Sequence, residues 1–156
     1  MEKIKTAFVC FGNICRSPMA EFLMKDLVKE RGKADEFVID SFATNGCEEG
    51  SPVYPGTAKI LSRLGIDYSA KRAQKLRAAD YDKYDYFIGM DEMNSRDIKR
   101  IFGGDPQGKV SLLLDYTEDK RDVADPWYTR DFEKTFTDIV RGTRGFYDYL
   151  CKNGKI

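Results

Sequence analysis

The chain of 156 residues contains no histidine. That absence removes Ser-His-Asp and Cys-His hydrolases, and every histidine-ligated metal site, from consideration. Any general acid must be a carboxylic acid or something less usual. Cysteine is scarce: the four residues, at 10, 15, 47 and 151, lack both the paired CxxC spacing of zinc sites and the density of a disulfide scaffold. Reduced thiols of a cytosolic protein fit that usage better. No apolar run approaches the ~20 residues of a membrane-spanning helix. Lys+Arg and Asp+Glu both number 26, so the formal net charge is zero, and no long single-sign block occurs. The electrostatic footprint of a nucleic-acid or anionic-membrane binder is therefore missing. Charged residues interrupt the short apolar stretch near the N-terminus, so no signal peptide is read and a cytoplasmic protein is expected. The length suits one domain, residues 1–156, with a single sizeable core.

What is present concentrates near the start. Ile4-Lys5-Thr6-Ala7-Phe8-Val9 reads as a buried strand ending at Cys10. After the loop Phe11-Gly12-Asn13-Ile14-Cys15-Arg16-Ser17 comes Pro18, which suits the first turn of a helix, with Met19, Phe22, Leu23 and Leu27 on one face. Backbone N–H groups of a tight loop entering a helix N-terminus converge on one concavity, where the helix dipole favours negative charge. Gly12 permits close approach of a ligand, and Asn13 tolerates a left-handed conformation. Arg16 adds a permanently charged fork able to hold two oxygens. The same field favours the thiolate form of Cys10. The loop would thus hold a phosphate-sized anion over a nucleophilic sulfur. The plainer alternative is Cys10 as a small buried hydrophobe at a strand end.

Strands and helices alternate along the rest, without repeats or a linker. The first helix is expected over about 18–31, stopped by Gly32, and a second strand runs from Phe37 to Ser41-Phe42-Ala43-Thr44. A loop over 45–54 leads to a Pro55-initiated helix with Ile60, Leu61 and Leu64 apolar, closed by Gly65. A short helix over 77–83 and a third strand over 86–90 follow. Asp91 can cap a helix reaching Phe102. A fourth strand spans 110–114, and a polar loop runs to Asp125-Pro126. The last helix, from about Asp131, carries Phe132, Phe136, Ile139, Phe146 and Leu150 on one stripe. Four βα units predict an α/β fold: a single-domain, parallel four-stranded sheet with helices on both faces and the site at the strand C-termini.

Val9-Cys10-Phe11-Gly12-Asn13-Ile14-Cys15-Arg16-Ser17-Pro18-Met19-Ala20-Glu21 resembles the signature of the low-molecular-weight protein tyrosine phosphatases. Ser41-Phe42-Ala43-Thr44, Met90-Asp91-Glu92-Met93-Asn94 and Asp125-Pro126-Trp127-Tyr128 resemble that family's second-strand, third-strand-exit and general-acid motifs, so the similarity covers nearly the whole chain. The resemblance implies Cys10 as nucleophile, Arg16 as phosphate ligand and Asp125 as general acid. It implies phosphate binding and loop support by residues 11–15, namely Phe11, Gly12, Asn13, Ile14 and Cys15, and by Ser17, which is placed to hydrogen-bond the thiolate. Trp127 and Tyr128 would flank the aryl leaving group. Three departures stand out. Cys47 replaces a large aromatic wall of the cleft, Trp127 replaces a tyrosine, and Lys71 stands about where a loop-supporting histidine often lies.

The implied activity is phosphomonoester hydrolysis on phosphotyrosine-containing proteins or peptides, with no metal, cofactor, nucleic acid or membrane, and a monomer as working expectation. Arsenate reduction on the same fold needs relay cysteines after the third strand, and residues 89–104 contain none. Cys151 is read as a buried packing residue. Phosphoarginine phosphatases resembling this chain carry Thr where Ile14 stands. A non-catalytic phosphate-binding module would be expected to lose Cys10 or Asp125. Cys10 and Cys15 share one tight loop, so a redox-sensitive pair, with Cys15 capturing an oxidised Cys10, is a further expectation.

Overall fold

In the computed structural model, which describes residues 2–156, Thr6-Ala7-Phe8-Val9 forms the fully buried centre of strand β1 (Ile4–Cys10). A strand buried on both faces reads as a continuous apolar run, and β1 lies between β2 (Phe37–Ala43) and β3 (Tyr86–Gly89), with β4 (Val110–Leu112) at the edge. All pairings are parallel, in the order β2-β1-β3-β4. Cys10 pairs with Ala43, and Val9 with Gly89, so the ends of three strands open on one edge. The connections after β1 and after β3 run in opposite directions along the sheet, which places a crevice between these two strands.

The period of two sorts the side chains onto two layers. Phe8, Cys10, Ile39 and Ile88 pack with helices α1 (Arg16–Glu30) and α5 (Phe132–Lys152) on one face, joined by Ile60 of α2 (Pro55–Arg63). Ala7, Val9, Phe42 and Phe87 pack on the other with Ile98 of α3 (Glu92–Phe102). A short helix α4 (Pro126–Thr129) precedes α5. Among the described residues no helix is long and apolar enough to cross a membrane.

Local chemistry sets the boundaries. Asp91 caps α3 through a reciprocal box with Asn94, and Gly103, left-handed at φ 72°, ends it. Helix α1 starts at Arg16, two residues before the expected position, since Cys15 and not Ser17 precedes the first helical residue. Strand β4 is two residues shorter than expected because the chain turns into a 3-10 segment at Leu113–Tyr116, whose leucines enter the α5 core. The 77–83 helix is a 3-10 turn, Ala78–Lys83. Leu64, expected on the apolar face of α2, caps its end and is exposed. On α5, Ile139, Phe146 and Leu150 are fully buried, whereas Phe132 and Phe136 lie at the margin.

Gly142 and Gly145 let α5 seat against that 3-10 segment. A Cβ at 142 would overlap Leu113, and one at 145 would overlap the Tyr116 carbonyl oxygen. An exposed helical Gly→Ala change ordinarily stabilises by ~0.5–1 kcal/mol. Here the obstacle at 145 is backbone, so the sign reverses. Gly145→Ala is expected to cost about 1–3 kcal/mol in urea unfolding; a variant as stable as the parent would refute this packing account.

Candidate active site

The loop from β1 to α1 has the carbonyls of Cys10, Phe11, Ile14 and Cys15 occupied and its amides free. The Cys10 carbonyl accepts from Thr44 N–H at 2.9 Å, Phe11 from Asn45 at 3.0 Å, and Ile14 from Tyr54 at 2.9 Å. The Cys15 carbonyl accepts from Met19 N–H and the Thr57 hydroxyl. Among the described residues, no N–H of residues 11–16 donates to a protein acceptor. Helix α1 has neither a capping side chain nor an acidic residue in its first turn, whereas Asp91 and Asp131 cap α3 and α5. Free amides, an uncapped helix start and the dipole together form an anion cradle. Asn13 takes the left-handed conformation, φ 57°, that turns the chain around it.

Beneath the cradle runs a hydrogen-bond chain whose direction is set by Asn13. Gln74 N–H donates to Asn13 Oδ1 at 3.0 Å, which assigns the amide and leaves Nδ2 as the donor. Its two hydrogens go to Ser17 Oγ at 2.7 Å and Ser41 Oγ at 2.9 Å. Ser17 Oγ, having accepted, lies 3.0 Å from Cys10 Sγ and 3.4 Å from the Phe42 carbonyl, either of which can take its hydrogen, and Ser17 N–H adds a contact to Sγ at 3.4 Å. Ser41 donates to Glu21 Oε1 at 2.6 Å. Glu21 is buried and paired with Lys71 at 3.3 Å and Lys25 at 2.6 Å, while Lys71 Nζ also donates to the Ser41 carbonyl. Lys71 thus reaches the loop through Glu21 and β2, beneath Asn13.

Arg16 is 3 % exposed and carries its charge into the site from α1. Nη1 donates to Asp91 Oδ2 at 2.8 Å and to the Val123 carbonyl at 3.2 Å; Nη2 donates to Asp125 Oδ2 at 3.3 Å. Of a guanidinium's five N–H donors this leaves Nε–H and one Nη2–H for an anion. Burial works against the charge, but Cys10, Asp125 and Asp91 outweigh it and raise the Arg16 pKa.

Asp125 enters from the loop before α4. Its Oδ1 accepts from Trp127 N–H at 3.0 Å, capping α4, so Oδ2 is the oxygen facing Arg16. Asp138, buried on α5, anchors this loop: Arg121 donates to both its oxygens at 2.7 and 3.0 Å, and Ala124 N–H to one at 3.3 Å. Burial pushes the Asp138 carboxyl up, yet these hydrogen bonds hold it below its ordinary value. With the folded pKa below the unfolded one (~3.9), the contribution is complete above about pH 5 and disappears as pH falls through the folded value.

Residues 11–15, expected to bind phosphate, form the loop between β1 and α1, Ser17 lies in the first turn of α1 against Cys10, and Asp125 faces Arg16. Cys15 is half-buried, and burial, then Cys10 and Asp125, push its thiol up to about 12, so it stays protonated at neutral pH. That makes it a slow partner for an oxidised Cys10. Cys47 lies exposed in the Gly46–Glu48 turn, whose Glu48 stem sits beside Gly12. Trp127 and Tyr128 stand on the rim, 58 % and 82 % exposed. Tyr54, unforeseen in the sequence, meets Trp127 edge-on at 6.0 Å and stacks on Phe132 at 5.8 Å. Cys151, expected to be buried, is exposed on the outer side of α5, since Leu150 takes the inward position. Glu21, Asp138 and Arg121 were also missed. An acid inside an apolar helix face was the available signal for Glu21 and Asp138.

Residues 5–155 match the family model described as low molecular weight phosphotyrosine protein phosphatase. The chain is 40% identical over 141 residues to the low molecular weight protein-tyrosine-phosphatase YfkJ of Bacillus subtilis, covering 89% of this chain and 90% of the relative. It is 37% identical to PtpA of Staphylococcus epidermidis, over 98% and 97% of the two chains. The crystal structure of YfkJ superposes with a TM-score of 0.94 over 98% of each chain, at 36% identity. That of SP-PTP from Streptococcus pyogenes gives 0.82 at 38% identity, over 96% and 92%.

Lys71→Met removes one of two cations from buried Glu21. A fully orphaned buried charge costs ~3–5 kcal/mol; with Lys25 still in place, a loss of about 2 kcal/mol is expected. Affinity for tungstate, measured by calorimetry, is expected to fall about tenfold as the loop loosens, a difference of ~1.4 kcal/mol. Unchanged stability and tungstate affinity would remove Lys71 from the loop's support.

Proposed function

The chain belongs to the low molecular weight phosphotyrosine protein phosphatase family, and we propose that it hydrolyses phosphotyrosine in proteins or peptides through a cysteinyl-phosphate intermediate. The observation that carries this reading is the row of free amides at residues 11–16 closing over Cys10 Sγ. Such a row matches the equatorial oxygens of a phosphoryl group in transfer. The Cys10 thiolate attacks phosphorus in line, forming the S–P bond as the P–O bond to the phenol breaks. Asp125, in its protonated form, delivers its proton from Oδ2 to the departing oxygen. Arg16 holds two equatorial oxygens with its free N–H pair. Water then attacks the cysteinyl-phosphate, Asp125 takes its proton, and phosphate leaves with the thiolate regenerated.

Asp91 keeps the Arg16 fork in plane, and Ser17 compensates the sulfur charge before attack and after release. Tyr54 and Trp127 supply an aromatic entrance suited to a phenyl ring, while the bulk of Ile14 favours a flat aryl ester. Arsenate reduction fits less well. The cysteines other than Cys10 are a protonated Cys15 and two exposed thiols, Cys47 on the loop after β2 and Cys151 at the end of α5.

Cys10→Ser is expected to lose all turnover of a phosphotyrosyl peptide yet bind tungstate, since amides and Arg16 do the holding. Residual turnover in the pure variant would reassign the nucleophile. Asp125→Asn should slow hydrolysis by roughly 10²–10⁴, the usual worth of a positioned general acid. Esters with weakly basic leaving groups should lose less in a steady-state series; an equal loss for all would make Asp125 a loop support only.

A further inference from the structure

Beyond Trp127, the entrance continues into a groove with its own chemistry. A cavity of about 230 Å³ lies among Tyr54, Trp127, Arg130 and Phe132. It adjoins one of about 540 Å³ that shares Arg130 and Phe132 and reaches Lys59 and Arg63 on α2. The groove starts at the phosphate loop, because Tyr54 N–H is bonded to the Ile14 carbonyl and Pro126 follows Asp125. Its aromatic side depends on Gly56: a Cβ there would overlap the Phe132 ring that stacks on Tyr54.

The charges in this groove are unequal in availability. Glu133 is held in a two-point pair by Arg63, and Asp131 accepts from Lys134 N–H as the cap of α5. Glu133 is thus neutralised, while Asp131 keeps its charge as the cap of α5. Lys59 and Arg130 make no ion pair or side-chain hydrogen bond among the described residues, and are free for an outside anion. Arg130 also has a left-handed backbone, φ 61°. Apart from glycines, Asn13 in the phosphate loop is the other described residue with positive φ. An arginine gains nothing from that conformation, where glycine fits without strain. Its side chain therefore accounts for its presence better than its backbone does.

We propose that the groove binds the acidic flank of a phosphotyrosyl peptide, with Lys59 and Arg130 pairing with substrate carboxylates beside the phosphotyrosine. This rests on the phosphotyrosine reading above and gives it a sequence preference. Substrate carboxylates meet a groove lined by three cations and two acids, in which Lys59 and Arg130 are the cations outside an ion pair, while the peptide backbone lies across Phe132 and Trp127. The charges are solvent-facing, so each adds modestly to affinity and the effect is screened by salt.

The test compares kcat/KM for p-nitrophenyl phosphate, a phosphotyrosyl peptide with Gln flanks, and matched peptides with Glu on either side. The parent is expected to prefer one Glu-flanked peptide over the Gln peptide by about three- to tenfold, mainly through KM, with the preference shrinking at high salt. Lys59→Gln with Arg130→Gly should abolish the preference and leave p-nitrophenyl phosphate unchanged. Arg130→Gly alone should be at least as stable as the parent, because it relieves the backbone, while losing part of the preference. Equal kcat/KM for Glu and Gln peptides in the parent, or a preference surviving in the double variant, would overturn the groove assignment while leaving phosphotyrosine hydrolysis intact. Hydrolysis of p-nitrophenyl phosphate with no phosphotyrosyl peptide accepted would instead overturn the phosphotyrosine reading, and the groove with it.

Discussion

One side-chain amide organises this site. Asn13 Oδ1 is committed to Gln74 N–H, so its two hydrogens must go to Ser17 and Ser41. Ser41, having accepted, donates onward to Glu21, and Ser17 places its hydroxyl between Cys10 Sγ and the Phe42 carbonyl. The direction of the Gln74–Asn13–Ser41–Glu21 run follows from that single orientation. The same residue supplies the left-handed turn that aims the loop amides inward. A buried network of this kind is costly when half satisfied and rigid when complete. Here each member has a partner, and its far end rests on the Glu21–Lys71 pair.

Charge is distributed so that the site tolerates both an anion and its absence. Arg16 spans Asp91, at 2.8 Å, and Asp125, at 3.3 Å, the residue proposed above as the proton donor. An arriving phosphate brings negative charge to the remaining N–H pair while Asp91 keeps the fork in place. The long 3.3 Å contact leaves Asp125 the weaker of the two partners. Its loop is not left to wander, because Asp138 and Arg121 tie residues 121–124 to α5.

Much of this was legible in the sequence, for identifiable reasons. The strand, loop and helix around Cys10 announce themselves because an apolar run, a glycine, an arginine six residues on and a proline each have a local cause. The parallel sheet followed from strand-helix alternation, and the Asp91 cap from its place before a helical pattern. That Asp91 also binds Arg16 was not legible, since β1 and β3 become neighbours only through the sheet order. Tyr54 and Asp138 escaped for the same reason: their partners are distant in sequence. The end of β4 was misplaced because Leu113 and Leu114 are apolar in either a strand or a 3-10 turn, and only the approach of α5 at Gly142 and Gly145 decides between them. Cys151 was misassigned by one position on the helix, where its neighbour Leu150 faces the core.

The central claim is that the amides of residues 11–16 are the phosphate-binding surface and that Cys10 lies beneath them. A ¹H–¹⁵N titration with inorganic phosphate tests it most directly. The account predicts that these six amide protons shift downfield together, with one dissociation constant, while the amides of β4 and the far end of α5 stay in place. Shifts centred on another surface, or loop amides unmoved at saturation, would contradict it.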